Sequence, residues 1–467
     1  MKLAQILRCE KKLAELEIKG ITNDSRQVKE GYLFVNTSGN PQYDSDALNK
    51  GGIVVTSNKS LENVLCVDDT VKAFAEACAN WYSNPAKKLK LLGVTGTNGK
   101  TSITYMLKAI LEAAGKKVGL IGTNKNLIAE REIPSINTTP NAYYLNSLLS
   151  EMVEAECEYV IMEVSSHALA QGHVEGFKFA VSMFTNLTQD HLDFHGSMDE
   201  YFAAKSKLFE ISDIAVINAD DQYGRMLLNT VKCKKVTYST ENNADFIAKG
   251  INCQPSRTSF KLLCDELLHI DVNTGGNFTV YNALCAISAA KQLSIENSAI
   301  VTALANFCGV KGRAEVVKTN KDFTVIIDYA HTPDGLKNIL KTFKKCAKNR
   351  IILVFGCGGD RDKTKRAPMG EIASIYADYV IVTSDNPRTE NPREIINDIM
   401  NGIPNALFKG KIIENRAEAI KFALSIAQKD DIIILAGKGH ETYQIIGKEK
   451  IHFDEREIVF SALQDLD

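Results

Sequence analysis

The chain has 467 residues, a formal net charge of -2, and 45% hydrophobic and 24% charged residues. That balance belongs to a globular protein. It excludes broad nucleic-acid or anionic-membrane binding as the basis of function, since either needs a strongly basic surface. At about 150 residues per domain, the length predicts about three domains.

Residues 1–20 alternate Lys, Glu and short apolar pieces and contain no continuous apolar core, so they do not read as a signal peptide. No apolar run is long enough to span a bilayer. The 11 cysteines are scattered from Cys9 to Cys357, and no two stand in a C-x-x-C pair. They are expected to be reduced thiols of a cytoplasmic protein.

Residues 1–87 show strand-like runs at Tyr32–Asn36, Gly52–Thr56 and Val64–Val67 and a helix pattern at Thr70–Tyr82, before Ser83-Asn84-Pro85 breaks the chain. This predicts a small α/β domain. From residue 88 to 313, apolar strands alternate with helices. Leu89–Thr95 reads as a strand and Lys100–Ala114 as a helix, with Gly115 placed to end it. Val118–Gly122 reads as a strand, and Thr139-Pro140 as N-cap and first residue of a further helix. Cys157–Val164, Phe179–Leu187 and Ile214–Asn218 read as strands, and Ser197 to Glu200 as a capping box. Residues 314–467 repeat the theme, with strands at Thr324–Asp328, Arg350–Gly356, Tyr379–Thr383 and Asp431–Ala436. The predicted class is α/β, with parallel sheets covered on both faces.

The chemistry concentrates just after the predicted strand ends, where open α/β sheets bind ligands. Gly96-Thr97-Asn98-Gly99-Lys100-Thr101-Ser102 follows a strand and opens a helix. Small residues there let backbone N–H groups surround an anion, and the helix terminus adds its dipole. Lys100 can reach β- and γ-phosphates, and the Thr101 hydroxyl suits Mg²⁺. Val94 stands where the common phosphate loop has glycine, which argues against an ordinary GTPase or kinase loop.

Glu163 ends a strand before Val164-Ser165-Ser166-His167 and reads equally as a cation ligand or as an acid near a helix start. Asp190-His191 lies in a segment dense in metal-ligating types, with Asp190 placed to orient the imidazole; no tetrahedral Cys/His set suggests zinc. Lys205, in Tyr201–Phe209, reads from spacing as a solvated helix lysine.

In the last block, Asp328 with His331 suits ribose hydroxyls or a phosphate-contacting group. Gly356–Lys363, containing Arg361, suits an anion or is a plain charged turn. Asp385-Asn386-Pro387-Arg388 offers a guanidinium fork for a carboxylate or is simply a turn into the next helix. Gly437-Lys438-Gly439-His440-Glu441 offers a carboxylate for an ammonium group.

Taken together, Asp24-Ser25-Arg26, Thr95–Ser102, Asn137-Thr138-Thr139, Glu163–His167, Asp190-His191, Lys205, Asn282, Gly312-Arg313, Asp328–Asp334, Gly356–Arg366, Asp385–Arg388 and Gly437–Glu441 fall in the order found in the Mur ligases, which the chain resembles over nearly its whole length. The resemblance implies three domains: 1–87 for a UDP-linked substrate, 88–313 as a central ATP-binding domain built on a phosphate-loop sheet, and 314–467 as a Rossmann-like domain that admits an amino acid.

It implies ATP and Mg²⁺, with Thr101, Glu163, His191 and a carbamylated Lys205 as metal-placing groups. It implies that Asn282, Arg313, Asp328 and His331 serve ATP. It implies that Asn23, Ser25, Asn137, Thr138, Thr139, Ser165 and Gln171 serve the UDP-muramoyl substrate, with His173 standing where the family often has Arg.

It further implies that Arg388, with Arg361, Asp385, Asn386, Pro387, Gly437 and Glu441, selects meso-diaminopimelate for addition to the D-Glu γ-carboxylate of a UDP-N-acetylmuramoyl dipeptide. Lysine-adding relatives lack that arginine. A folate-polyglutamylating ligase does not fit Asp24-Ser25-Arg26, and a catalytically silent ATP-binding scaffold would not need the intact loop residues. The expectation is a cytoplasmic monomer acting on small molecules, without nucleic acid or membrane insertion.

Overall fold

The computed structural model describes residues 1–61 and 64–464. The expected limit of the last domain, residue 467, lies outside them. The chain divides into two compact units, Met1–Tyr238 with Cys285–Ala299, and Ser239–Leu284 with Ile300–Asp467.

The first unit begins with a parallel sheet of Gly20–Thr22, Tyr32–Val35, Ile53–Thr56 and Leu65–Cys66. The Thr70–Trp81 helix starts on Asp69, whose carboxylate caps the Lys72 N–H, and packs Phe74, Ala77 and Cys78 against Leu33, Val35 and Val55. The larger sheet runs Lys234–Ser239, Ser212–Asn218, Phe179–Phe184, Lys90–Thr95, Tyr159–Glu163 and Val118–Ile121, all parallel. Lys125–Ile128 and Arg131–Pro134 extend it antiparallel. Its inner strands are apolar throughout because helices cover both faces.

The chain leaves Lys90–Thr95, crosses through the Lys100–Ala113 helix, and skips a position to Val118–Ile121; Tyr159–Glu163 later fills the gap. This order reversal opens a crevice beyond the end of the 90–95 strand. Gly115, at φ +74°, ends the helix as predicted, with the Lys116 N–H bonded to the Leu111 carbonyl at 2.9 Å.

One predicted start moves. Asn141, not Thr139, caps the Ala142–Glu154 helix by accepting the Tyr144 N–H. Asparagine is at least as good a cap, and it frees the Thr139 hydroxyl for the Glu163 carbonyl, 2.8 Å away.

In the second unit, Phe246–Cys253, Thr258–Leu263 and Leu267–Val272 form an antiparallel meander. A separate six-stranded sheet runs Glu315–Val317, Thr324–Asp328, Ile432–Ala436, Ile351–Phe355, Tyr379–Val382 and Gly410–Ile412, parallel except at the first edge. One face packs on Leu336, Leu340, Phe343, Met369 and Ile396, the other on Ile420, Ala423, Leu424 and Val459. Register places Asp328 beside Ala436, Ala436 beside Phe355, and Phe355 beside Val382. The loops that follow these strand ends therefore emerge side by side.

Candidate functional site

In the first unit, the 96–99 loop follows the central strand. Gly96 has φ +141°, and a methyl group there would stand 1.9 Å from Thr185 Oγ1. Only glycine fits so close an approach. The loop is pinned from the neighbouring strand end: the Thr97 N–H donates to the Asn186 carbonyl (2.9 Å), the Asn98 N–H to Asn186 Oδ1 (3.0 Å), and Thr185 Oγ1 to the Asn98 carbonyl (2.7 Å). Ser102 follows on the first turn of the 100–113 helix.

Lys100 Nζ donates to the carbonyls of Gly96 and Thr97, each at 2.9 Å. Lys205 Nζ donates to the same Gly96 carbonyl at 2.9 Å. The solvated position expected for Lys205 is overturned: the residue is 2% exposed. On the Met198–Glu210 helix it shares the buried stripe of Tyr201, Ala204 and Leu208. Burial pushes its ammonium well below the usual lysine range, and Lys100 adds to the effect while Asp190 opposes it.

Glu163 is 1% exposed, and both of its carboxyl oxygens are engaged. Oε1 accepts Thr101 Oγ1 (3.0 Å) and the Thr123 N–H (2.9 Å), and Oε2 accepts Thr123 Oγ1 (3.0 Å). Of the two readings open for Glu163, the tie to the loop threonine is the one this geometry supports. Thr123 also touches Thr138, Oγ1 to Oγ1 at 3.0 Å. Thr139 Oγ1 accepts the Ser165 N–H (2.9 Å) and lies 3.3 Å from Ser165 Oγ. His173 Nδ1 lies 3.4 Å from the Thr139 carbonyl, and burial pushes the ring toward its neutral form. Thr138, Thr139, Ser165 and His173 are thus brought together beside Glu163, while Asn137 and Gln171 are exposed. In the small parallel sheet, Asn23 Nδ2 donates to Thr37 Oγ1 at 3.3 Å, and Ser25 opens a single turn capped by Asp24.

His191 sits at φ +53° with Nε2 3.4 Å from Asp190 Oδ2. Its ring meets His167 edge-on at 4.8 Å, and His195 lies 5.5 Å from His167, with Nε2 at 2.9 Å from Ser166 Oγ. Burial lowers the pKa of both His167 and His195. Tyr201 links this cluster to the loop, with His191 at 6.3 Å, Lys205 Nζ at 4.5 Å, and its hydroxyl 3.3 Å from Thr97 Oγ1. Sequence reading passed over Thr123, His195 and Tyr201 as site residues. The 201/204/205/208 spacing was the available signal for Tyr201 and for the burial of Lys205.

Among the described residues, no three His, Cys, Asp or Glu side chains converge as a metal cage. That fits Mg²⁺, which takes one or two carboxylates and completes its shell with substrate phosphates and water. Glu163 and the Thr101 hydroxyl, 3.0 Å apart, are groups here that could hold such an ion.

In the second unit, Asp328 accepts the N–H groups of Ala314 (2.7 Å) and Ala330 (2.8 Å), and burial raises its pKa. Arg313 stacks over Tyr329 at 4.9 Å, and the His331 ring lies 4.6 Å from the same tyrosine. Asn282 is buried on the Asn277–Gln292 helix.

The 385–388 loop is braced from two sides. Asn386 Nδ2 donates to Glu441 Oε2 at 2.9 Å, and the Ile445 N–H donates to Asn386 Oδ1 at 3.0 Å. Gly437, at φ +119°, lies where a methyl group would stand 2.5 Å from Asp385 Oδ2. Pro387 is buried, and Arg388 follows at φ +50°, its backbone paired to Ile445 and Gly447. Arg388 Nη1 donates to the Gly359 carbonyl at 2.7 Å, and among the described residues no carboxylate pairs with it. Arg361 is exposed, with its Nη1 on the Asp360 carbonyl at 3.2 Å.

Residues 94–290 match the Mur ligase middle domain, and residues 312–439 match the Mur ligase, glutamate ligase domain. The UDP-N-acetylmuramoyl-L-alanyl-D-glutamate–2,6-diaminopimelate ligase of Caldanaerobacter subterraneus subsp. tengcongensis is 49% identical over 461 residues, 96% of this chain and 95% of that protein. A solved structure of a ligase of that name aligns with TM-score 0.74 and 31% identity, covering 100% of this chain and 99% of the other. The MurF ligase from Thermotoga maritima in complex with ADP shares the fold, at TM-score 0.62 and 17% identity over 100% of both chains.

Proposed function

We propose a specific reaction on one premise: the chain belongs to the Mur ligase family. It is an ATP-dependent acid–amino-acid ligase of peptidoglycan precursor synthesis. It joins meso-2,6-diaminopimelate to the D-Glu γ-carboxylate of UDP-N-acetylmuramoyl-L-alanyl-D-glutamate. The observation that carries the choice of amino acid is Arg388, a half-buried guanidinium bonded to a carbonyl and unpaired with any carboxylate among the described residues. A distal carboxylate complements it; L-lysine, which has none, would leave the cation uncompensated.

The γ-carboxylate attacks the γ-phosphorus of ATP, ADP leaves, and an acyl phosphate forms. The amine of diaminopimelate then attacks the acyl carbon, loses a proton, and expels inorganic phosphate. A carboxylate alone is a poor acyl donor at neutral pH, hence the nucleotide. Lys100 and the loop N–H groups neutralise charge on the transferring group. Glu163, Thr101, His191 and Lys205 would hold Mg²⁺, which supplies further charge neutralisation on the phosphates.

Lys205 in this reading is carbamylated. Its depressed basicity supports this, since the neutral amine is the form that adds carbon dioxide. Asn282, Arg313, Asp328 and His331 serve the nucleotide. Asn23, Ser25, Asn137, Thr138, Thr139, Ser165, Gln171 and His173 serve the UDP-muramoyl part. Arg361, Asp385, Asn386, Pro387, Gly437 and Glu441 complete the amino-acid pocket. The corresponding functional domains are 1–87, 88–313 and 314–467. The enzyme works as a cytoplasmic monomer, a setting consistent with its 11 free thiols.

The test is a competition. Purified protein receives ATP, Mg²⁺, the UDP-muramoyl dipeptide and equal meso-diaminopimelate and L-lysine, and the product is weighed. The diaminopimelate adduct is expected. A lysine adduct overturns the specificity, and no ADP release overturns the ligase reading.

A further inference from the structure

Lys438 lies between two glycines at the end of the Ile432–Ala436 strand and is 0% exposed. Its ammonium has three protons to place. Nζ stands 3.1 Å from Asn386 Oδ1, 3.2 Å from Glu441 Oε2 and 4.0 Å from Asp385 Oδ1. The ring centroids of Tyr443 and Phe453 each lie 5.8 Å from Nζ. The cation therefore cannot swing to solvent, and it touches three groups of the amino-acid pocket described above.

The consequence is directional. Asn386 Oδ1 accepts both Lys438 Nζ and the Ile445 N–H, which turns its Nδ2 toward Glu441. Glu441 Oε2 is then occupied twice, by Asn386 Nδ2 and by Lys438. Among the described residues, nothing donates to Glu441 Oε1. One carboxylate oxygen is fixed and the other is left open. Without the lysine, Glu441 Oε2 and Asn386 Oδ1 would each lose one of their two donors, and neither side chain would be held in its present orientation.

We propose that Lys438 is the positioning residue for the amino-acid substrate: it orients Asn386 and clamps one oxygen of Glu441, so that the other oxygen presents a fixed charge to the substrate ammonium. The inference rests on the reading of this pocket as the diaminopimelate site.

The test compares Lys438→Met, Glu441→Gln and the double variant, using steady-state kinetics in each of the three substrates. Lys438→Met should raise the KM for meso-diaminopimelate at least tenfold, with the KM values for ATP and the UDP-muramoyl dipeptide within twofold of wild type. The double variant should be no worse than Glu441→Gln alone, because the lysine acts through that carboxylate. If Lys438→Met does not fold, the double variant still decides, since removing one carboxylate removes the charge that the lysine balances. Equal changes in all three KM values, an unchanged KM for diaminopimelate, or multiplied effects in the double variant overturn the proposal. Wild-type protein that ignores diaminopimelate would instead overturn the pocket assignment itself.

Discussion

Lys205 and Lys438 are both enclosed lysines near the ends of parallel strands, yet their surroundings are opposites. Lys438 meets an amide oxygen and two carboxylates. Lys205 meets one carbonyl, which it shares with Lys100, and the face of Tyr201. A buried cation with its counter-charges in place belongs to a preassembled pocket. A buried lysine without them gives up its proton more readily and marks a place open to negative charge, either as phosphate or as a modification of the lysine itself. The first unit thus holds a deficit of anion at its loop, and the second holds a balanced cradle.

The comparison is broken or sharpened most strongly at Lys205. Lys205→Met should lower kcat by about 10²-fold or more, the scale of losing one preorganised electrostatic group. Thermal stability should hold or rise, since an uncompensated buried amine is replaced by an apolar side chain of similar volume. Lys438→Met should lower stability, because it strips a donor from Glu441 Oε2 and from Asn386 Oδ1 in a buried site. Calorimetry on both variants decides: equal destabilisation would erase the distinction. Intact-mass measurement of wild type at raised bicarbonate should show the mass of one added carbon dioxide, absent from Lys205→Met.

Glu163→Gln keeps the shape and the Thr101 contact but removes the charge beside the loop. A fall of about 10²-fold in kcat is expected, with nucleotide affinity in the absence of Mg²⁺ changed little. Equal loss with and without Mg²⁺ would show that Glu163 supports the loop rather than the metal.

Arg388 is a cation of the second unit's cradle with which, among the described residues, no carboxylate pairs. Arg388→Ala should raise the KM for diaminopimelate by roughly 10²-fold, in the range for losing one partner of a desolvated charge pair, and leave ATP affinity near wild type. If both move equally, the side chain braces Gly359 and does not receive substrate.

The sheet order around the loop, and the row of loops after Asp328, Phe355, Val382 and Ala436, were legible because buried parallel strands are short apolar runs with abrupt polar ends. Thr324–Asp328 falls where the pattern put it. The Phe246–Val272 meander is absent from the expectation although a signal existed, since Ser259-Phe260-Lys261-Leu262 alternates polar and apolar residues after the turn residues Pro255-Ser256. For Lys205 only the reading from spacing fails, the resemblance having already set it apart, and the signal for its burial existed: Tyr201, Lys205 and Leu208 stand at i, i+4 and i+7, on one helical stripe. Lys438 carries no periodic signal at all. It lies in a glycine-flanked turn, and its burial comes from Tyr443 and Phe453, which only the fold brings to it.

His440 shows a third way of living with charge, and the smallest expected effect. Its ring sits near Arg313, Arg456 and Lys311, and burial together with these cations lowers its pKa from an ordinary 6.5 to about 4. Its Nδ1 is buried without a hydrogen-bond partner among the described residues. The unfolded chain takes up this proton near 6.5 and the folded chain only near 4, so the contribution to stability is complete above the upper value. It drains away as pH falls toward the lower one and is lost no further beneath it. The part-exposed ring limits the effect to about 1 kcal/mol. Proton NMR of the histidine ring should give a midpoint near 4, and His440→Asn should flatten the fall of stability between pH 6.5 and 4. A midpoint at or above the ordinary value would mean that the ring is not enclosed as it is here, since burial is the largest cause of its lowered pKa.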